Sequence, residues 1–205
     1  MKKLTLVLIL LAGVASPVWA KGDAVAGEQK AASCKACHNN QGEALGYPKL
    51  EGQHAGYLVK QLKDFQAAMK SGGAEGRNNA IMGGMAMPLT EQDMEDISAY
   101  FAAQPMSPNT TAPEYVEAGQ KLFMGGDIER GIAACTACHG PRGVGHSLAR
   151  FPRISSQYAT YIKNQLEAFR SGERANDLNG MMRDVAAKLS DKDIEILSQY
   201  LGGLH

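Results

Sequence analysis

The pentapeptide Cys34-Lys35-Ala36-Cys37-His38 returns as Cys135-Thr136-Ala137-Cys138-His139, and no other feature limits the chain as much. The two copies take up all four cysteines and two of the five histidines, so no thiol is left for another purpose. A C-x-x-C-H segment is the attachment site of a c-type haem. The sulfurs of Cys34 and Cys37, or of Cys135 and Cys138, bond covalently to the porphyrin, and His38 or His139 ligates the iron. A lone C-x-x-C also suits half a zinc site or a redox dithiol, but neither use needs a histidine at the same place in both copies. Two covalently bound haem c groups, each with its iron, are therefore the expected cofactors. With 205 residues the chain has room for two small domains to carry them. Domains of that size bury a modest fraction of their surface, and a haem supplies the apolar volume that their cores lack.

The repeat extends well beyond the motif. Ahead of the cysteines stand Ala26-Gly27-Glu28-Gln29-Lys30 and Ala118-Gly119-Gln120-Lys121-Leu122, each predicted to open a helix. The second copy then carries a longer connection, Gly125 to Gly131. Behind the motifs come Tyr47-Pro48-Lys49-Leu50 and Phe151-Pro152-Arg153-Ile154. Tyr57, Gln61, Leu62 and Phe65 follow, matched in one register by Tyr161, Gln165, Leu166 and Phe169. Their spacing predicts an amphipathic helix with one buried face. A last helix is predicted from Thr90 and from Ser190, where a hydroxyl caps the first turn and the acids behind it suit a helix N-terminus. Between the copies, Gln104 to Pro113 is rich in proline and small polar residues and reads as an extended connector. No alternation long enough to demand a sheet occurs. The expected fold is all-α: two tandem haem-wrapped domains, 21–108 and 109–205, with the connector at about 104–113.

An iron held by one histidine needs a sixth ligand if it is to transfer electrons without binding substrate. His54 aligns with Tyr158, His146 has no equivalent in the first copy and His205 is terminal, so these histidines read as surface or propionate-side residues. The chain has ten methionines against five phenylalanines. Residues 81–90 align without gaps on 181–190, and in that register only Met82 and Met182 coincide. These two are the expected ligands, with Met85 and Met181 as rivals. Met85, Met87 and Met181 fall opposite Val185, Ala187 and Ile81, which suits core filling. A thioether favours ferrous iron, and His/Met coordination raises the potential relative to bis-histidine. The carbonyls of Pro48 and Pro152 are candidate acceptors for the second N–H of His38 and His139.

Residues 1–20 join a basic start, Lys2-Lys3, to a short apolar run and end at Trp19-Ala20, the pattern of a secretory signal peptide. The apolar run is shorter than a bilayer span, which argues against an uncleaved anchor. Covalent haem attachment agrees with export, and a periplasmic location is expected. The whole chain holds 21 bases and 21 acids. Loss of Lys2 and Lys3 with the leader leaves 19 against 21, a net of −2, so there is no basic excess to attract nucleic acid. Residues 21–108 carry eight bases and ten acids and residues 109–205 eleven of each, so the halves differ in charge.

The order and duplication of these segments, with the ending Tyr200-Leu201-Gly202-Gly203-Leu204-His205, resemble the dihaem cytochrome c4 family of bacterial periplasms over essentially the whole mature chain. The resemblance implies two class I cytochrome c domains related by a pseudo-twofold axis, with haem propionates facing the interface and His/Met ligation in both halves. It further implies an electron carrier between a cytochrome bc complex or similar donor and a terminal oxidase, not an enzyme. Its partners are then redox proteins, with membrane contact only through them, and the chain is expected to be a monomer. The competing classes are a dihaem peroxidase or thiosulfate-oxidising enzyme and a gas-binding module, each of which needs an open iron position. A methionine shared by both repeats argues against that vacancy.

Overall fold

The computed structural model describes residues 22–205, and the leader read from residues 1–20 lies outside them. Among the described residues there are ten α-helices and no strand, only two isolated bridges, Asp127 with Ile132 and His146 with Phe151. The first half holds α1 (Ala24–Lys30), α2 (Ala32–Lys35), α3 (Ala55–Ser71), α4 (Ala80–Ala86) and α5 (Glu91–Ala103). The second half repeats them as α6 (Val116–Gly125), α7 (Thr136–His139), α8 (Ala159–Ser171), α9 (Met181–Ala186) and α10 (Asp191–Gly203). The all-α, two-domain expectation holds.

Each half is closed by its first and last long helices, α1 on α5 and α6 on α10. Both pairs meet at a glycine. A Cβ on Gly27 would lie 2.0 Å from the Asp96 carbonyl oxygen, and one on Gly119 would lie 2.3 Å from Cβ of Tyr200. The last helices start where the hydroxyls predicted. Thr90 and Ser190 accept from the amides of Asp93 and Asp193, whose carboxylates bond back to the cap residue, forming a capping box in each half. The core of the first half gathers Leu58, Ile97 and Phe101, with Cys34 and Leu50 packed against them. That of the second gathers Phe123, Ile132, Ile162, Leu189, Ile194, Leu197 and Leu201, with Cys135 at its margin. Burial of such side chains, at about 25 cal/mol per Å² of apolar surface, holds each half together.

The segment Gly125 to Gly131, with no counterpart in the first copy, ends at the bridge between Asp127 and Ile132. It brings Arg130 onto Asp193 at 2.6 and 3.2 Å. In the first half Lys30 does the same work from α1, at 2.7 Å from Asp93 and 2.6 Å from Asp96. Helix α5 stops at Ala103 with Gln104 as its cap, and no helix forms again until the short turn Pro113–Tyr115, so the connector is irregular as predicted. It is anchored by Lys49, only 4% exposed, whose Nζ donates to the Ser107 carbonyl at 2.7 Å and to Asn109 Oδ1 at 2.8 Å.

Candidate haem sites

Helices α2 and α7 are single turns at the motifs: α2 carries Cys34, with Cys37 and His38 just beyond its end, and α7 carries Cys138 and His139, with Cys135 as its N-cap. All four thiols are free. Burial pushes the Cys34 thiol up and the Cys135 thiol up to about 11. Among the described residues no group of three or more His, Cys, Asp and Glu is placed to hold an ion, which leaves the zinc reading without a ligand set.

His38 and His139 are both 7% exposed. His38 Nδ1 lies 2.8 Å from the Pro48 carbonyl oxygen, and His139 Nδ1 lies 2.9 Å from that of Pro152. A carbonyl only accepts, so each Nδ1 carries the proton and each Nε2 keeps its lone pair. Burial lowers the pKa of both imidazoles, against the smaller opposing effect of the proline carbonyls, and holds them neutral. A neutral imidazole with a fixed Nδ1–H is the form that ligates iron through Nε2. The acceptors expected from the repeated prolines are the ones found.

In the first half these groups open on a cavity of about 240 Å³. Cys34, Cys37 and His38 line it together with Met82 and Met85, and the apolar remainder includes Leu50, Leu58, Leu62, Phe65, Ile97 and Phe101. Met82 is partly buried, whereas Met85 is 40% exposed. The Asn79 side chain caps α4 by accepting from the Met82 amide at 2.9 Å, which fixes the backbone at that residue. Gln66 of α3 holds the same segment from the other end, donating to the carbonyls of Ala86 and Leu89 at 2.8 and 2.9 Å. In the second half Met182 is partly buried and Met181 is 36% exposed. Arg170 of α8, in register with Gln66, donates to the Leu189 carbonyl at 3.0 Å, so the methionine segment is tethered there too.

The first cavity is not a property of one half, because Tyr161 and Gln165 of the second half complete its wall beside Arg77. Arg77 stacks on Phe65 and donates to Gln61 at 2.8 Å, to Gln165 at 2.6 Å and to the Tyr161 hydroxyl at 3.2 Å. Arg174 mirrors it, stacked on Phe169 and donating to Gln165 at 2.8 Å, to Gln61 at 3.1 Å and to the Tyr57 hydroxyl at 3.0 Å. Neither guanidinium is paired with a carboxylate among the described residues. The residues fit a haem: two sulfurs for the vinyl carbons, a ligating nitrogen, a thioether in the wall, apolar walls, and in Arg77 a cation with no carboxylate partner among the described residues that would suit the group's acidic side chains.

The two arginines escape a reading of the repeats because they stand five and eight residues before Met82 and Met182, in different registers. His54, read as a surface or propionate-side residue, is partly buried. It heads α3 and its Nε2 lies 2.8 Å from the Val144 carbonyl oxygen of the other half, while its counterpart Tyr158 donates to the Asn39 carbonyl at 3.2 Å.

The sequence model of the family described as Cytochrome c matches residues 21–104 and again 116–205. A cytochrome c4 of Stutzerimonas stutzeri is 48% identical over 210 residues, covering 100% of both chains. A cytochrome c4 of Thiocapsa roseopersicina is 51% identical over 89% of this chain and 93% of its own. The crystal structure of reduced recombinant cytochrome c4 from Pseudomonas stutzeri superposes with a TM-score of 0.85 at 49% identity, covering 90% of this chain and 100% of that one. With both domains matched and the full length shared, the chain belongs to the cytochrome c4 family of dihaem electron-transfer proteins.

Proposed function

We propose that this protein is a monomeric periplasmic carrier that takes single electrons from a cytochrome bc complex or similar donor and delivers them to a terminal oxidase. Its domains divide near residue 108. Cys34 and Cys37 hold one haem and Cys135 and Cys138 the other. His38 with Met82, and His139 with Met182, are the axial ligands. When bound, the haem irons supply the one-electron chemistry by cycling between ferrous and ferric states. The chain supplies everything else: the proline carbonyls orient the imidazoles, the capped and tethered methionine segments present a soft ligand, and the apolar wall excludes water. A site closed in this way changes little on reduction and offers no position to a substrate. Export rests on the leader and on the covalent haem. Among the described residues no helix is long and apolar enough to cross a membrane.

The observation that carries this reading is the pair of Nδ1–H bonds to Pro48 and Pro152, which leaves one ligating nitrogen per half. The test is optical. The ferric protein should be low-spin, with a weak red band of Met-ligated haem whose amplitude accounts for both irons. Met82→Ala and Met182→Ala should each remove half of that band and open one iron. A band left whole by either change, or a large high-spin fraction in the parent protein, overturns the assignment.

A further inference from the structure

The peptide unit that accepts from His38 is shared. Its carbonyl belongs to Pro48, and its N–H, that of Lys49, donates to Oε1 of Gln157 in the other half at 2.8 Å. Nε2 of Gln157 returns a bond to the Lys49 carbonyl at 2.9 Å. The second site is built the same way. His139 donates to the Pro152 carbonyl, the Arg153 N–H donates to Gln53 Oε1 at 2.9 Å, and Gln53 Nε2 donates to the Arg153 carbonyl at 2.8 Å. Gln53 and Gln157 are 5% and 4% exposed, and each is also held by the amide of the residue that follows it, at 3.0 Å. The amide orientation is fixed by chemistry, since an N–H needs the oxygen and a carbonyl needs the NH₂.

We propose that Gln53 and Gln157 are positioning residues that set the donor strength of the other half's axial histidine through this shared peptide. The inference rests on His38 and His139 being the iron ligands. A peptide whose N–H is hydrogen-bonded is more polarised, and its carbonyl becomes a better acceptor. A stronger acceptor at Nδ1–H makes the imidazole more basic, and a more basic ligand favours ferric iron. Each glutamine therefore lowers the potential of the haem in the half to which it does not belong. Chain polarisation of about 10–30% per bond corresponds to roughly a twofold change in the ferric-to-ferrous ratio at fixed potential. At 59 mV per decade for one electron, that is about 20 mV.

Gln157→Met keeps the volume and removes both bonds to Lys49, along with the one from the Tyr158 amide. In a redox titration of the holoprotein followed by the separately resolved haem methyl proton resonances, the first-half haem should rise in potential by about that amount while the second-half haem stays in place. Gln53→Met should do the reverse. A glutamine that only clamps the halves together would shift both haems alike, shift the haem of its own half, or shift neither, and any of these overturns the proposal. If the variants do not fold, reciprocity supplies the second test in the parent chain. Hydrogen exchange of the Lys49 and Arg153 amides should be about twofold slower in the oxidised protein than in the reduced one, and equal rates overturn the relay. The ligand assignment is read separately. The Nδ1–H resonances of His38 and His139 in the ferric protein are displaced by unpaired spin only if those rings ligate. Their absence from the displaced set overturns the ligands, whereas displaced resonances that ignore Gln157→Met overturn only the relay.

Discussion

Gly27 and Gly119 show how much one missing atom decides. The repeated Ala-Gly ahead of each motif is visible in the sequence, but the reason for the glycine is not, because the atom it avoids lies on a helix more than sixty residues away. The clash at Gly119 is with Cβ of Tyr200, which no rotamer can move. Gly119→Val should therefore force α6 from α10 and cost about 1–3 kcal/mol. The check is a lower denaturant midpoint at unchanged slope. Gln53 and Gln157 were open to the same kind of reading, since they keep the register of Tyr57 and Tyr161. Nothing in composition says that a glutamine will be buried against another domain's backbone, so the shared spacing alone gave them no role.

At the scale of helices, the capping boxes of α5 and α10 are also the charged ends of the fold. Hydrogen bonding from Lys30 holds the Asp93 carboxyl down at about 2, and hydrogen bonding from Arg130 does the same for Asp193. Unfolded aspartates titrate near about 3.9. The stabilisation is therefore complete above that value and is lost as the pH falls through about 2. Asp193→Asn should lower the melting temperature at pH 7 and flatten its fall between about pH 5 and 2 relative to the parent protein. An unchanged acid profile would mean that Arg130 contributes nothing there. The helices themselves were legible from hydroxyl caps and apolar spacing. Two of their properties were not. Helix α3 has 17 residues against 13 in α8, an extra turn that accounts for the shift in register between the tyrosine and methionine segments. The stripe Tyr57, Gln61, Phe65 reads as core, yet Gln61 is buried at the seam, where it shares Arg77 with Gln165 of the matching stripe.

Across the molecule, that sharing makes the seam between the halves polar and cationic. Gln61 Oε1 accepts from Arg77, Arg174 and Asn176 at 2.8, 3.1 and 3.2 Å. Gln61→Leu takes one acceptor from each of Arg77, Arg174 and Asn176, a loss of about 1.5–3 kcal/mol for hydrogen bonds to charged groups. Calorimetry should show it as a lower melting temperature that affects both halves, although the substitution sits in one. The duplication could be read from sequence because it repeats residue types at fixed spacing, whereas the seam could not, because its partners lie about a hundred positions apart and obey no local period. The reciprocal placement of the glutamines has a consequence for descent. Two fused copies of a gene normally remain free to separate or to be lost, since each retains what it began with. Here the peptide that accepts from each half's histidine is held by a glutamine of the other half, so a deletion that restored a single copy would return a protein whose histidine leans on a carbonyl that has lost its own partner. Once the exchange had formed, the fusion could no longer be undone without loss.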